Sequence, residues 1–166
     1  SFEDYCKLYS EDVIYVEGPR WKIGIASSHG SMQHVSFVNS VETSDGGTHV
    51  DYIANQIVTH LRALIKKKHK IDVRPQEIKN HIFLFVQADI VNPIFSSQTK
   101  EKLITEHKQF GSEFEFSPAV IKKIAGSEIV ERILDWAQQK AIAEEKKQLR
   151  KLNRSLSKSK ILKLID

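Results

Sequence analysis

One cysteine, Cys6, and one methionine, Met32, stand in 166 residues, with four prolines and seven glycines. A single thiol excludes an internal disulfide and any multi-thiolate metal site, and it fits a reducing compartment. The seven histidines show neither His-Glu-x-x-His nor a close pairing with cysteine, so no metal site is read from them. No apolar run approaches the ~20 residues a membrane-crossing helix needs. The N-terminus, Ser1-Phe2-Glu3-Asp4-Tyr5, is acidic and mixed, unlike a secretory leader. Its abrupt start reads as a piece cut from a longer protein. Internal repeats and low-complexity tracts are missing too.

What is present is a chain 40% hydrophobic and 28% charged. That supports a packed core and one domain, with or without an extension, and argues against wholesale disorder. The net charge is +4, gathered at Lys66–Lys70 and again from Lys140 to Lys163. Such uneven basic patches point to nucleic acid or another polyanion.

Along the chain, residues 2–9 read as the tail of a helix, and Ser10–Pro19 as an irregular linker. Trp21–Ser27 alternates like a half-buried strand, with Trp21, Ile23 and Ile25 on one face. His29-Gly30-Ser31 reads as a hairpin turn into a return strand, Gln33–Asn39. After the polar loop Thr43–Gly47, Thr48 is the expected helix cap, with Asp51 three residues on. Val50, Ile53, Ile57, Leu61, Leu64 and Ile65 then keep 3-4 spacing, an apolar stripe of about four turns. The helix ends in Lys66-Lys67-Lys68-His69-Lys70, cations that suit a helix C-terminus. Pro75–Asn80 is one short turn. Ile82–Ile90 is nearly continuous apolar sequence, the mark of a central strand buried on both faces. Ser117-Pro118 is an N-cap with proline at N1. A long helix follows from near Ser127, with Ile129, Val130, Ile133, Trp136 and Ala137 on its apolar face. Beyond Ala143 that face thins, as in a helix that bridges domains. The pattern is α+β or α/β, a small sheet with helices on one face.

Two sets of motifs carry a resemblance. Phe37-Val38-Asn39-Ser40 and Gly46-Gly47-Thr48-His49-Val50-Asp51-Tyr52 come first. Lys79-Asn80-His81, Asn92-Pro93, Ser97-Gln98-Thr99-Lys100 and Phe110-Gly111-Ser112 follow in order. Together they resemble the second N-terminal domain, the transducer, of type IIA DNA topoisomerases. The resemblance runs from Ser1-Phe2-x-Asp4-Tyr5 to Lys163-Leu164-x-Asp166. Val50 in Thr48-His49-Val50-Asp51-Tyr52 resembles the eukaryotic type, which some large DNA viruses share. The short Ser10–Pro19 segment departs from that pattern.

The resemblance implies an α+β transducer fold: a small mixed sheet with a left-handed βαβ crossover, then a long connecting helix. It implies three segments. Residues 1–20 are a helix tail and linker from an ATP-binding domain of the GHKL class. Residues 21–137 are the transducer, and 138–166 a basic helix leading to the cleavage core. It implies that Lys100 meets the γ-phosphate of ATP, with Gln98 second and Thr99 third at that contact. Lys66, Lys67, Lys68 and Lys70 are implied to face DNA phosphates, and the Lys140–Lys163 run either solvates its helix or touches DNA. ATP and Mg2+ are held mainly by other domains, and no catalytic residue or metal ligand lies in this stretch. Gly46-Gly47 lacks the Gly-Lys-Ser/Thr of a phosphate loop and reads as backbone needing positive φ. Implied partners are double-stranded DNA, the GHKL domain and cleavage core of the same chain, and a second copy in a homodimer. The parent would act in the nucleus if cellular, or in the cytoplasm or a viral replication site if virus-encoded. The residues alone also allow a non-enzymatic, sequence-independent DNA-binding module, although such a module gives Gln98-Thr99-Lys100 no task.

Overall fold

The computed structural model describes residues 1–165, with side chains through residue 159. Asp166 and the side chains of Lys160 and Lys163 in the basic run lie outside that description. The chain divides into two compact units, Ser1–Ile133 and Leu134–Asp166.

The first unit is built on a five-stranded mixed sheet. Its strands are β1 (Ile14–Gly18), β2 (Trp21–Ser27), β3 (Gln33–Val38), β4 (Val41–Glu42) and β5 (Ile82–Ala88). They lie in the order β1-β2-β5-β3-β4. The apolar run of β5 does what its composition implies: Ile82, Leu84, Phe85 and Val86 have no exposed surface, and the strand sits in the centre. Burying each such side chain stabilises by roughly 1.5–3 kcal/mol.

β5 pairs antiparallel with β2, placing Ile23 opposite Val86, and parallel with β3, placing Ser36 opposite Val86. That corrects the expected hairpin at His29-Gly30-Ser31: β2 and β3 are not partners, because β5 lies between them. The β3-to-β5 connection passes through helix α2 (Thr48–His69) and the short α3 (Pro75–Lys79), which makes the parallel pair a βαβ unit.

Alternation divides the sheet into two faces. One carries Trp21, Ile23, Ile25, Leu84, Val86, Ser36 and Val38. It meets α2, whose Tyr52 ring lies 5.5 Å from that of Trp21. Eight residues of α2 are buried: His49, Val50, Ile53, Ala54, Ile57, Val58, Leu61 and Ile65. Leu64, assigned to the stripe on spacing, is instead 38% exposed.

The opposite face is covered by α1 (Phe2–Lys7). Buried Cys6 clusters there with Ala26 and Phe85, flanked by Phe2, Val13, Tyr15, Val35 and Phe83. Gly24 admits it, since a Cβ at that position would lie 2.9 Å from the Cys6 sulfur. Burial pushes the Cys6 thiol up to about 12, so it stays protonated and inert. The main helical layer thus occupies one face, as expected, and α1 adds a cover on the other.

Two further local expectations are corrected. Ser10–Pro19 is no linker, because residues 14–18 form β1, an edge strand paired from Ile14↔Ile25 to Gly18↔Trp21. Thr48 does not cap α2. Gly47 is the N-cap, and no side chain bonds there; the Thr48 hydroxyl is buried without a partner among the described residues. By contrast, Ser117 does cap α4 (Pro118–Ala125), accepting from the Val120 amide at 3.3 Å.

The last helix, α5, covers Glu128–Ile165. Ile129, Val130 and Ile133 are buried in the first unit. In the second unit Lys140 lies 5.1 Å over the Trp136 ring, and Ile142, Leu149, Leu152 and Leu156 are exposed.

Candidate functional site

Lys100 stands at the tip of a tight hairpin. Beyond β5, Ile90 is clasped by Asn39: its amide donates to Asn39 Oδ1 at 2.8 Å, and Asn39 Nδ2 donates to its carbonyl at 3.0 Å. Asn39 and Ser40 both have positive φ, 50° and 68°, the two-residue turn that joins β3 to β4. The β3–β4 turn therefore also fixes where the chain leaves β5.

The chain then runs out and back. Ile104 N donates to Ile94 O at 2.8 Å, Phe95 pairs antiparallel with Leu103, and Ser96 N donates to Lys102 O at 3.0 Å. Residues Ser97 to Lys100 close the tip, with Lys100 N donating to Ser97 O at 3.2 Å and the Ser97 and Thr99 hydroxyls 2.6 Å apart. Gln98, Thr99 and Lys100 are all exposed. Lys100 has φ 59°, a left-handed conformation that favours glycine or asparagine and costs a side-chain-bearing residue on the order of 1 kcal/mol or more. It is in no ion pair among the described residues. Lys100 is thus an exposed cation with a left-handed backbone at a tight turn.

The returning arm is seated on the start of α2. Leu103, fully buried, donates its amide to Gly46 O at 3.1 Å and accepts from Thr48 N at 3.0 Å. Asp45 N donates to Glu101 O at 2.9 Å. The expectation of positive φ at the glycine pair holds, at 73° for Gly46 and 136° for Gly47. Gly47 has a second reason to lack a side chain. A Cβ there would fall 2.5 Å from Leu103 N and 2.8 Å from its Cβ, and onto its carbonyl oxygen.

Under this seat lies a buried polar chain that sequence reasoning missed. His49 Nε2 is 3.1 Å from Thr43 Oγ1, which is 2.7 Å from Ser36 Oγ; Ser36 Oγ lies 3.2 Å from His34 Nδ1. Ser36 donates its single proton to Thr43 O at 3.0 Å, so its oxygen accepts from both neighbours. The directions follow: His49 donates to Thr43, Thr43 to Ser36, and His34 to Ser36. His49 Nδ1 is then a bare acceptor, buried without a partner. Burial pushes the His49 imidazole down to about 3, so it is neutral near pH 7. The only signal in the sequence was the Gly-Gly-Thr-His run itself, which gives no hint of Thr43 and Ser36 as partners.

At the far end of α2, Lys66, Lys67, Lys68 and Lys70 are all exposed. Lys70 closes the helix in the left-handed conformation, φ 60°, donating its amide to Lys66 O at 3.0 Å. The nearby Asp72 is engaged by Arg62, through contacts of 2.9 Å and 3.2 Å, and also feels the charge of Lys66. The Lys66–Lys70 run and the Lys100 turn are therefore separate, associated with opposite ends of α2. Among the described residues no group of His, Cys, Asp or Glu is arranged to hold a metal, and no helix is long and apolar enough to cross a membrane.

The family model for DNA gyrase B matches residues 1–152. The chain belongs to the DNA gyrase B family. DNA topoisomerase 2 of Penicillium chrysogenum is 52% identical over 125 residues, covering 74% of this chain and 8% of that protein. DNA topoisomerase 2-alpha of mouse is 42% identical over 153 residues, covering 84% of this chain and 10% of its own length. Among solved structures, the ATPase and transducer domains of DNA topoisomerase II from Balamuthia mandrillaris superpose with a TM-score of 0.80 at 38% identity. That match covers 85% of this chain and 37% of the other. The chain thus spans about a tenth of the length of the curated relatives it matches. It has the mixed α+β fold of that ATPase and transducer region.

Proposed function

We propose that this chain is the transducer segment of a eukaryotic-type DNA topoisomerase II. It couples ATP binding and hydrolysis in an adjoining GHKL domain to gate closure and DNA strand passage. The observation that carries this reading is the Lys100 hairpin: an exposed lysine with a left-handed backbone at a tight turn whose returning arm is fastened to the first turn of α2. Its chemistry suits one contact to a terminal phosphate, a compact point charge on a flexible stem. Gln98 stands beside it as a hydrogen-bonding group, and Thr99 shapes the turn through Ser97.

ATP and Mg2+ are held mainly by the adjoining domains of the parent. When bound, ATP supplies the anion that Lys100 answers. Loss of that anion releases the hairpin tip, and the Leu103 seat carries the change to α2. Lys66, Lys67, Lys68 and Lys70 then contact DNA through its phosphates, without regard to sequence. The parent works as a homodimer on double-stranded DNA, in the nucleus if it is cellular.

The test is ATP turnover by the full-length parent with Lys100→Ala. A hundredfold to thousandfold fall, about what loss of one transition-state donor costs, with nucleotide binding largely kept, supports the reading. Unchanged turnover overturns it. A second reading, a non-enzymatic DNA-binding module, draws on the lysines at the end of α2 but leaves the strain at Lys100 without a use.

A further inference from the structure

The seat of the Lys100 hairpin is shaped from beneath. His34 backs Gly46, since a Cβ there would lie 3.1 Å from its Nε2, and His49 follows Gly47 by two residues. Thr43 and Ser36 join these rings. The backbone repeats the connection: Thr43 N donates to Ser36 O at 2.8 Å, and Gly46 N to Thr43 O at 3.0 Å. Four linked polar side chains from β3, the loop before α2 and α2 itself thus flank the glycine pair, His34 against Gly46, and Leu103 sits against Gly47. Leu103 is three residues from Lys100.

Such a network is costly to keep in an apolar setting, and His49 is its least satisfied member, with no exposed surface and a bare Nδ1. A leucine would fill the same space with no polar atom to satisfy. The imidazole does one thing a leucine cannot: it donates to the Thr43 hydroxyl oxygen, whose own proton goes to Ser36, and so ties α2 to the Thr43–Ser36 pair.

We propose that His49 is the positioning residue for Lys100. Through Thr43 and Ser36 it holds Gly46–Gly47 in the shape that seats Leu103, and so sets where the hairpin tip stands. His49 touches no nucleotide; it acts through the seat. The inference rests on the role proposed for Lys100 above, and it adds the buried residue on which that role depends.

The test uses the full-length parent with His49→Leu, His49→Gln and Thr43→Val, and Lys100→Ala as reference. Two quantities are read: ATP turnover split into kcat and KM, and hydrogen–deuterium exchange across residues 94–104. His49→Leu lowers kcat about tenfold with KM little changed, and speeds exchange in 94–104 about tenfold, the effect of losing one buried hydrogen bond. Thr43→Val does the same. His49→Gln, whose amide restores a donor to Thr43, recovers most of both. Wild-type exchange and turnover in His49→Leu and Thr43→Val would overturn the proposal. So would a His49→Gln variant as impaired as His49→Leu, since the volume rather than the donor would then be what matters. If Lys100→Ala leaves turnover unchanged, the proposed function fails, while the exchange data still decide whether His49 positions the hairpin.

Discussion

The two ends of α2 are built on opposite plans. At its first turn the helix is gripped from several sides, by Leu103 across the glycine pair, by the Thr43–Ser36 hydroxyls under His49, and by Trp21 against Tyr52. At its last turn the four lysines face solvent, and Asp72 just beyond is paired to Arg62. The 22 residues between make a rod about 33 Å long. A fixed end can pass on a displacement, and a bare end can meet a polyanion. On the proposed function, mechanical input and electrostatic contact are separated along one element, and each end can be broken without the other.

The largest effect belongs to the gripped end. Gly47→Val drives a branched side chain into the Leu103 backbone, and strains a φ of 136° as well. Destabilisation on the order of 4 kcal/mol is expected in urea unfolding, with exchange rising first in the hairpin.

A smaller effect separates the buried imidazole from other acid-sensitive groups. In the unfolded chain His49 takes up a proton near pH 6.5, whereas in the fold it stays neutral down to about 3. Between those values the unfolded state binds more protons, so His49 costs stability as the pH falls, by at most about 1.4 kcal/mol per pH unit. His49→Gln flattens the acid limb of the stability profile relative to wild type, by up to that slope. The His34 imidazole, also lowered by burial, continues to contribute in both. An unchanged acid limb would show that His49 is protonated in the fold.

The smallest effect is at the bare end. Lys68→Ala should leave stability within about 0.5 kcal/mol of wild type. It should reduce the slope of log affinity for duplex DNA against log salt by about 1, equally for unrelated sequences. A salt slope that ignores Lys68 would remove that lysine from the DNA contact.

The same contrast explains what could be read in the chain beforehand. The continuous apolar run of β5 and the 3-4 stripe of α2 are local patterns, and both elements appear where those patterns put them. The lysines are legible for the same reason, being exposed and consecutive. β1 was missed because a short edge strand ending in Gly18-Pro19 carries little alternation. The false hairpin at Gly30 arose because a good turn signal says nothing about a third strand inserting between its neighbours. Lys100 was named through a motif, but its seat was not. Leu103 is an ordinary leucine, and only the fold brings it to Gly47. Nor could Ser36, Thr43 and His49 be joined in advance, since they become neighbours only once β3 and α2 pack together.

The account stands on the hairpin and the first turn of α2 acting as one piece. Hydrogen exchange on the full-length parent, with and without a non-hydrolysable ATP analogue, tests that directly. Residues 94–104 and 43–51 should slow together when the nucleotide binds, while Lys66–Lys70 stays unchanged. Slowing confined to the hairpin, or absent from both segments, would contradict it.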